Sequence, residues 1–197
     1  MSQEDILTLI VKDPAMMRVM KLVETLNLPD WWIGGGFIRS KVWDRLHNYT
    51  TPTPLPDIDV IYFDPNDFPN EDAGTYSTKA ETKYEKLLSI RMPNVNWSVT
   101  NQARMHAFHN CPPYKNCVDA LKDWVETATC IAVKKDEKGT LILAAPQGTD
   151  DLLNLILRPA SFDPERIKEF HRRIENKNWL QKWPKLIIEM SPPSDKS

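Results

Sequence analysis

Apolar residues recur at spacings of three and four over residues 4–11 and again over 14–26, which predicts two short helices broken at Asp13-Pro14. Asn27-Leu28-Pro29-Asp30 reads as a turn, and Trp31-Trp32-Ile33 as a short strand that runs into Gly34-Gly35-Gly36. The stretch FIRSKVWDRLH, residues 37–47, places Ile38, Val42, Trp43 and Leu46 on one helical stripe. Residues 48–56 carry prolines at alternate positions and read as an extended loop. The next run, DIDVIYF (57–63), alternates at first and then turns apolar, as a mostly buried strand does.

Beyond it the pattern predicts a charged helix over 76–90 and an alternating strand over 94–100, with Val95, Trp97 and Val99 on one face. Helices over 102–109 and 117–124 flank a loop at Cys111-Pro112-Pro113-Tyr114. Two β-rich runs, 127–134 and 140–144, meet around 136–139 and predict a hairpin. Residues 150–157 read as a helix stopped by Pro159, and 164–177 as a helix with Asp163 as N-cap and Pro164 at its first position. There is no repeat and no linker. The fold expected is one α+β domain over residues 1–190, a small mixed sheet flanked by helices, followed by a disordered polar tail at 191–197.

Composition narrows the function classes. With 41% apolar and 26% charged residues the chain has the balance of a soluble globular protein. A net charge of −2 argues against long nucleic acid as the partner, which a basic face usually grips. The densest basic run, 166–182, is interleaved with Glu169 and Glu175 and reads as a solvated helix face. Three cysteines without framework spacing suggest reduced thiols, and the acidic N-terminal stretch is neither a signal nor a transit peptide. No apolar stretch approaches the roughly 20 residues of a membrane span. The expected location is the cytoplasm.

Candidate chemistry lies in GGGFIRS followed by DIDV. A glycine cluster between a strand and a helix lets the backbone approach a phosphate, and the helix start points free N–H groups and a positive dipole end at the anion. Gly35 and Gly36 are the candidate phosphate-binding glycines, and Arg39 in the first turn is the candidate cation. Asp57 and Asp59 leave the same face of one strand, their bases about 6–7 Å apart. That suits two carboxylates closing on Mg²⁺ (or Mn²⁺), which takes oxygen ligands and can stabilise an in-line phosphoryl or nucleotidyl displacement.

Gly35-Gly36-Phe37-Ile38-Arg39 followed by Asp57-Ile58-Asp59-Val60 resembles the signature of the polymerase-β-type nucleotidyltransferase superfamily, and CCA-adding enzymes carry a comparable Gly-Gly element. The chain is more closely similar to a family of small bacterial nucleotidyltransferase-like proteins, through FIRSKVWDRLH, PLPDIDVIYFD, NQARMH, DALKDWVETAT, DDLLNLILRP and KNWLQKWPKL. The resemblance implies the nucleotidyltransferase fold, a nucleoside triphosphate under the Gly-Gly loop and metal ligation by Asp57 and Asp59. It also implies a third carboxylate on a neighbouring strand, where this sequence has Ser98. A serine supplies neither that charge nor a base. A lesser departure is Ser40, where relatives tend to carry Asn.

The resulting expectation is a Mg²⁺-dependent enzyme that moves a nucleoside monophosphate from a nucleoside triphosphate to an unknown small-molecule or protein acceptor. The alternative is a catalytically impaired nucleotide-binding or regulatory protein of the same fold. His106, His109, Cys111 and Cys117 match no standard zinc-finger spacing and read as ordinary packing. Asn101, Gln102 and Arg104 are either substrate contacts or a capped helix start. Asp119 and Glu126 either replace the missing acid or are surface charge. The tryptophans at 31, 32, 43, 124, 179 and 183 read as core rather than as base-stacking platforms.

Overall fold

In the computed structural model, which describes residues 1–67, 78–109 and 111–192, capping chemistry sets the first two helices. α1 (Gln3–Val11) opens with a reciprocal Ser2–Asp5 capping box. α2 (Pro14–Glu24) opens on Asp13, whose carboxylate accepts from the Ala15 and Met16 N–H groups. Their apolar stripes bury Ile6, Ile10, Met16, Val19, Met20 and Val23 in the main core.

β1 (Trp32–Gly34) leads through the glycines into α3 (Gly36–Leu46), and β2 (Ile58–Tyr62) follows the proline loop. α4 (Lys79–Arg91) then carries the chain to β3 (Trp97–Asn101). A 3₁₀ turn at Gln102–Arg104, α5 (His106–His109) and α6 (Cys117–Leu121) come next. After a second 3₁₀ turn at Thr127–Thr129, β4 (Ala132–Lys135) and β5 (Leu141–Ala144) form the expected hairpin. The chain ends in α7 (Asp150–Leu153), β6 (Ile156–Leu157), α8 (Pro164–Lys177), α9 (Trp179–Lys182) and β7 (Ile187–Ile188).

The main sheet has strand order β3-β2-β1-β4-β5, antiparallel except for the parallel β2–β3 pair, and is the small mixed sheet the pattern predicts. The parallel register sets Asp59 directly beside Ser98. β6 and β7 form a separate parallel pair.

Three segments differ from the hydrophobic pattern. The run 102–109 is not one helix, because Asn101 accepts from Ala103 N–H and closes a tight 3₁₀ turn before α5 starts. α6 stops at Leu121, and the bonds from Lys122, Asp123 and Trp124 to residues three back tighten its end into turns. The helix expected over 150–157 ends at Leu153. Leu155 takes a left-handed φ of 60°, and Ile156–Leu157 pair with β7 as a strand. A short apolar run cannot be assigned to helix or strand by period alone. Tyr76 and Ser77 of the expected charged helix, and 193–197 of the expected tail, lie outside the described residues.

Candidate active site

β1 and α3 fix the glycine turn. Gly35 has φ 49° and donates its N–H to the Ile131 carbonyl at 2.8 Å. A Cβ on Gly34 would come within 2.6 Å of Trp124 Cη2, and one on Gly35 within 2.7 Å of Cζ3. Glycine is therefore required at both positions by the indole packed on the backbone, and at Gly35 also by its φ. Gly36 has more room, with Arg39 Nη2 at 3.7 Å from a built Cβ. The N–H groups of Gly36 and Phe37, at the start of an 11-residue helix, have no acceptor among the described residues.

Arg39 stands over this turn, 6% exposed. Its guanidinium lies 5.0, 4.6 and 5.5 Å from the ring centroids of Trp43, Trp179 and Trp183. Nη2 donates to Ser40 Oγ, while the buried Nε has no hydrogen-bond acceptor among the described residues. Burial pulls its pKa down to about 10, opposed by the negative charge of Glu126, Asp59 and Asp57.

Asp59 stands directly beside Ser98 across the β2–β3 ladder, where the serine hydroxyl favours the ionised carboxylate. Burial, with repulsion from Asp57 next, raises the Asp59 pKa to about 6, against the lowering pull of Ser98, Lys177 and Arg173. Asp57 stands before β2, at the end of a loop organised by buried Asp44, which accepts from Thr53 N–H, Thr53 Oγ1 and Trp183 Nε1. The Asp57 and Asp59 carboxylates, both lining the same cleft, are oxygen donors of the kind Mg²⁺ accepts when phosphates and water complete its shell. Among the described residues no group of three or more His, Cys, Asp or Glu side chains is placed to hold a metal.

The C-terminal basic run, whose charge pattern predicts a solvated helix face, instead supplies cations to the cleft. Trp179 and Trp183 dock into the core against Trp43, and this carries Arg173, Lys177 and Lys182 over the acids. The interleaved glutamates concealed this in the sequence. The signal that could have revealed it is tryptophan flanked by basic residues, since a buried tryptophan pulls its neighbours inward. Glu126 is 0% exposed and accepts from Arg173 Nε at 2.7 Å and from Thr129 Oγ1 at 2.9 Å, so it is neither surface charge nor a third acid on β3. For Arg173, burial lowers the pKa, but the charge of Glu126 and its hydrogen bond outweigh this and raise it.

Together these residues line a cleft whose first lobe holds Gly35, Gly36, Arg39, Ser40, Asp57, Asp59, Arg173, Lys177 and Lys182. A second lobe shares Asp59, Trp124, Thr129 and Arg173 with it and extends to Gln102, Met105 and His109. Gln102 thus reaches the cleft, whereas Asn101 caps a turn and Arg104 binds Glu81 at 2.6 Å in the core. Asp119 lies away from the cleft, paired with Lys122 at 2.9 Å. The candidate zinc residues do not converge. Cys117 belongs to an apolar cluster with Trp32 and Leu121, while His109 and Cys111 bond the Tyr114 hydroxyl.

This fold has known counterparts. A nucleotidyltransferase family model matches residues 21–188, and the chain belongs to that family. A solution structure described as revealing a CCA-adding enzyme head domain is 28% identical over 96% of each chain, with a TM-score of 0.81. A CCA-adding enzyme with CTP is 13% identical, with a TM-score of 0.58 over 96% of this chain and 43% of its own. The Thermotoga maritima CCA-adding enzyme complexed with tRNA is 14% identical, with a TM-score of 0.57 over 97% and 43%. These last two likenesses concern the fold. Comparison with curated protein sequences gave no match. No helix among the described residues is long and apolar enough to cross a membrane.

Proposed function

We propose that the chain transfers a nucleoside monophosphate from a nucleoside triphosphate to an acceptor hydroxyl and releases pyrophosphate, with Mg²⁺ or Mn²⁺ held by Asp57 and Asp59. The observation that carries this reading is the meeting, in one lobe, of an anion site and a pair of acids. The anion site is the free N–H of Gly36 at the start of α3, the Arg39 guanidinium, and Arg173, Lys177 and Lys182. Cations and acids in one small space favour a ligand that carries both phosphate and a divalent metal.

The chain's own groups then have separable tasks. The α3 N-terminus and Arg39 hold phosphate oxygens, while Arg173, Lys177 and Lys182 take up the charge that grows on the departing pyrophosphate. Ser98 orients the Asp59 carboxylate. The acceptor oxygen bonds to the α-phosphorus as the bond to the bridging oxygen breaks, pyrophosphate leaves, and the hydroxyl proton passes to solvent water. The metal, when bound, neutralises charge on the phosphates.

Ser98 favours a second reading. It sits directly beside Asp59, where a third carboxylate is expected from the resemblance, and a nucleotide-binding protein without turnover would have the same cleft. Pyrophosphate release measured with each nucleoside triphosphate separates the two. Amino sugars, other small alcohols, protein hydroxyls and tRNA would be offered as acceptors. Transfer that disappears in Asp57→Asn supports the enzyme, and metal-dependent binding without release under all acceptors supports the second reading.

A further inference from the structure

Trp124 is the aromatic side chain whose position the function above does not use. Seven tryptophans occur in the chain, and of the three that line the first lobe, Trp179 and Trp183 are each 2% exposed and enclose Arg39. Trp124 is partly exposed and lines both lobes. One flank of its indole is held against the Gly34 and Gly35 backbone, closely enough that no Cβ is tolerated there. The backbone beneath it is anchored by Trp124 N–H to the Leu121 carbonyl. A rigid ring so fixed loses little freedom when a flat ligand lies against it.

Its place relative to the charges decides which part of a ligand it meets. Arg39, Lys177, Lys182 and the α3 N-terminus belong to the first lobe, and Asp59, Trp124 and Arg173 stand where the two lobes join. A nucleotide whose phosphates occupy the first lobe carries its sugar and base away from the glycine turn, past that junction. The second lobe offers Ile61, Met105 and Val125 as apolar walls beside the indole. Two of the charged groups there are already engaged, and Gln102 donates to the Thr100 carbonyl at 3.5 Å. Arg166 bonds Glu169 and the Asp123 carbonyl, and the Asp123 carboxylate accepts from Tyr114.

We infer that Trp124 is the platform on which the nucleobase stacks, and that the site selects its nucleotide by stacking more than by base-edge hydrogen bonds. This rests on the nucleotide reading of the first lobe. Every base has a π face, so all four nucleoside triphosphates bind, and purines, with the larger face, bind best.

Inorganic tripolyphosphate distinguishes the two layers, because it has the anion without the base. Titrations with Mg²⁺ would compare tripolyphosphate, ATP, GTP, CTP and UTP on wild type, Trp124→Ala, Trp124→Phe and Trp124→Leu. The expected result is ATP binding roughly tenfold tighter than tripolyphosphate in wild type. That advantage disappears in Trp124→Ala and Trp124→Leu and largely survives in Trp124→Phe, while tripolyphosphate affinity is unchanged throughout. Leucine keeps bulk against the two glycines, so it carries the test if the alanine variant does not fold. Trp124→Leu binding ATP like wild type overturns the inference. So does an equal loss of ATP and tripolyphosphate affinity, which would make Trp124 a support for the glycine turn. Wild-type protein that binds neither ligand overturns the nucleotide reading itself, and the inference with it.

Discussion

Two glutamate–arginine pairs use the same chemistry for different ends. Glu81 and Arg104 lie 2.6 Å apart with side chains 1% and 6% exposed, and Glu81 also accepts the Asn101 and Thr78 N–H groups. This pair fastens α4 to the turn after β3. Glu126 and Arg173 lie 2.7 Å apart, but here only the carboxylate is sealed, at 0% exposed against 32% for the arginine. The second pair holds a cation at the wall of a cleft with its guanidinium reachable. A fully closed pair serves structure, whereas a half-open one positions a charge for something that is not protein.

The comparison can be broken by substitution. The largest effect is expected from Glu81→Ala, which leaves the Arg104 cation buried without its carboxylate and should cost about 3–5 kcal/mol in urea unfolding. The variant that remains folded should bind tripolyphosphate like wild type. Glu126→Gln should cost less, about 2 kcal/mol, because water reaches Arg173. Unlike Glu81→Ala, it should also weaken tripolyphosphate binding severalfold by calorimetry. Equal binding losses in the two variants would erase the distinction.

Asp59→Asn tests the acids on the other side of the cleft. The folded chain keeps the Asp59 proton up to a pH of about 6, while an unfolded aspartate releases it near pH 4. The ionised carboxylate therefore costs stability above that window and costs none below it. In metal-free buffer at pH 7.5, Asp59→Asn should be more stable than wild type by about 1–2 kcal/mol, a gain that fades as pH falls from 6 to 4. Thermal melts of both proteins across that range check the sign. The smallest stability effect is expected from Lys177→Ala, within about 0.5 kcal/mol, because Lys177 is partly exposed and Arg173 still faces Asp59. Its tripolyphosphate affinity should nonetheless fall roughly tenfold.

How much of this was legible in the sequence differs between the two halves of the cleft. Gly35, Gly36, Asp57 and Asp59 were readable because strand–glycine–helix and acid-x-acid order are local patterns, and β1, α3 and β2 form where period and turn residues place them. Even there, the reason for glycine at 34 and 35 lay 90 residues away in Trp124, beyond any local reading. Arg173, Lys177 and Lys182 are hidden because the basic run 166–182 is interleaved with acids in a pattern that fits solvent equally well. Only the docking of Trp179 and Trp183 on Trp43 turns that face inward. The same holds for Glu126, whose burial depends on a tertiary partner 47 residues on. α7 was read too long because Leu155 takes a backbone conformation that non-glycine residues seldom adopt.

The central claim is that the acids and the anion site serve one ligand, a metal–nucleotide complex. Calorimetric titration of ATP, GTP, CTP and UTP, with and without Mg²⁺, into wild type and an Asp57→Asn/Asp59→Asn double variant tests it most directly. Binding that requires Mg²⁺ in wild type and is lost in the double variant is the predicted result. Binding of no nucleotide under either condition, or equal binding by the double variant, would contradict it.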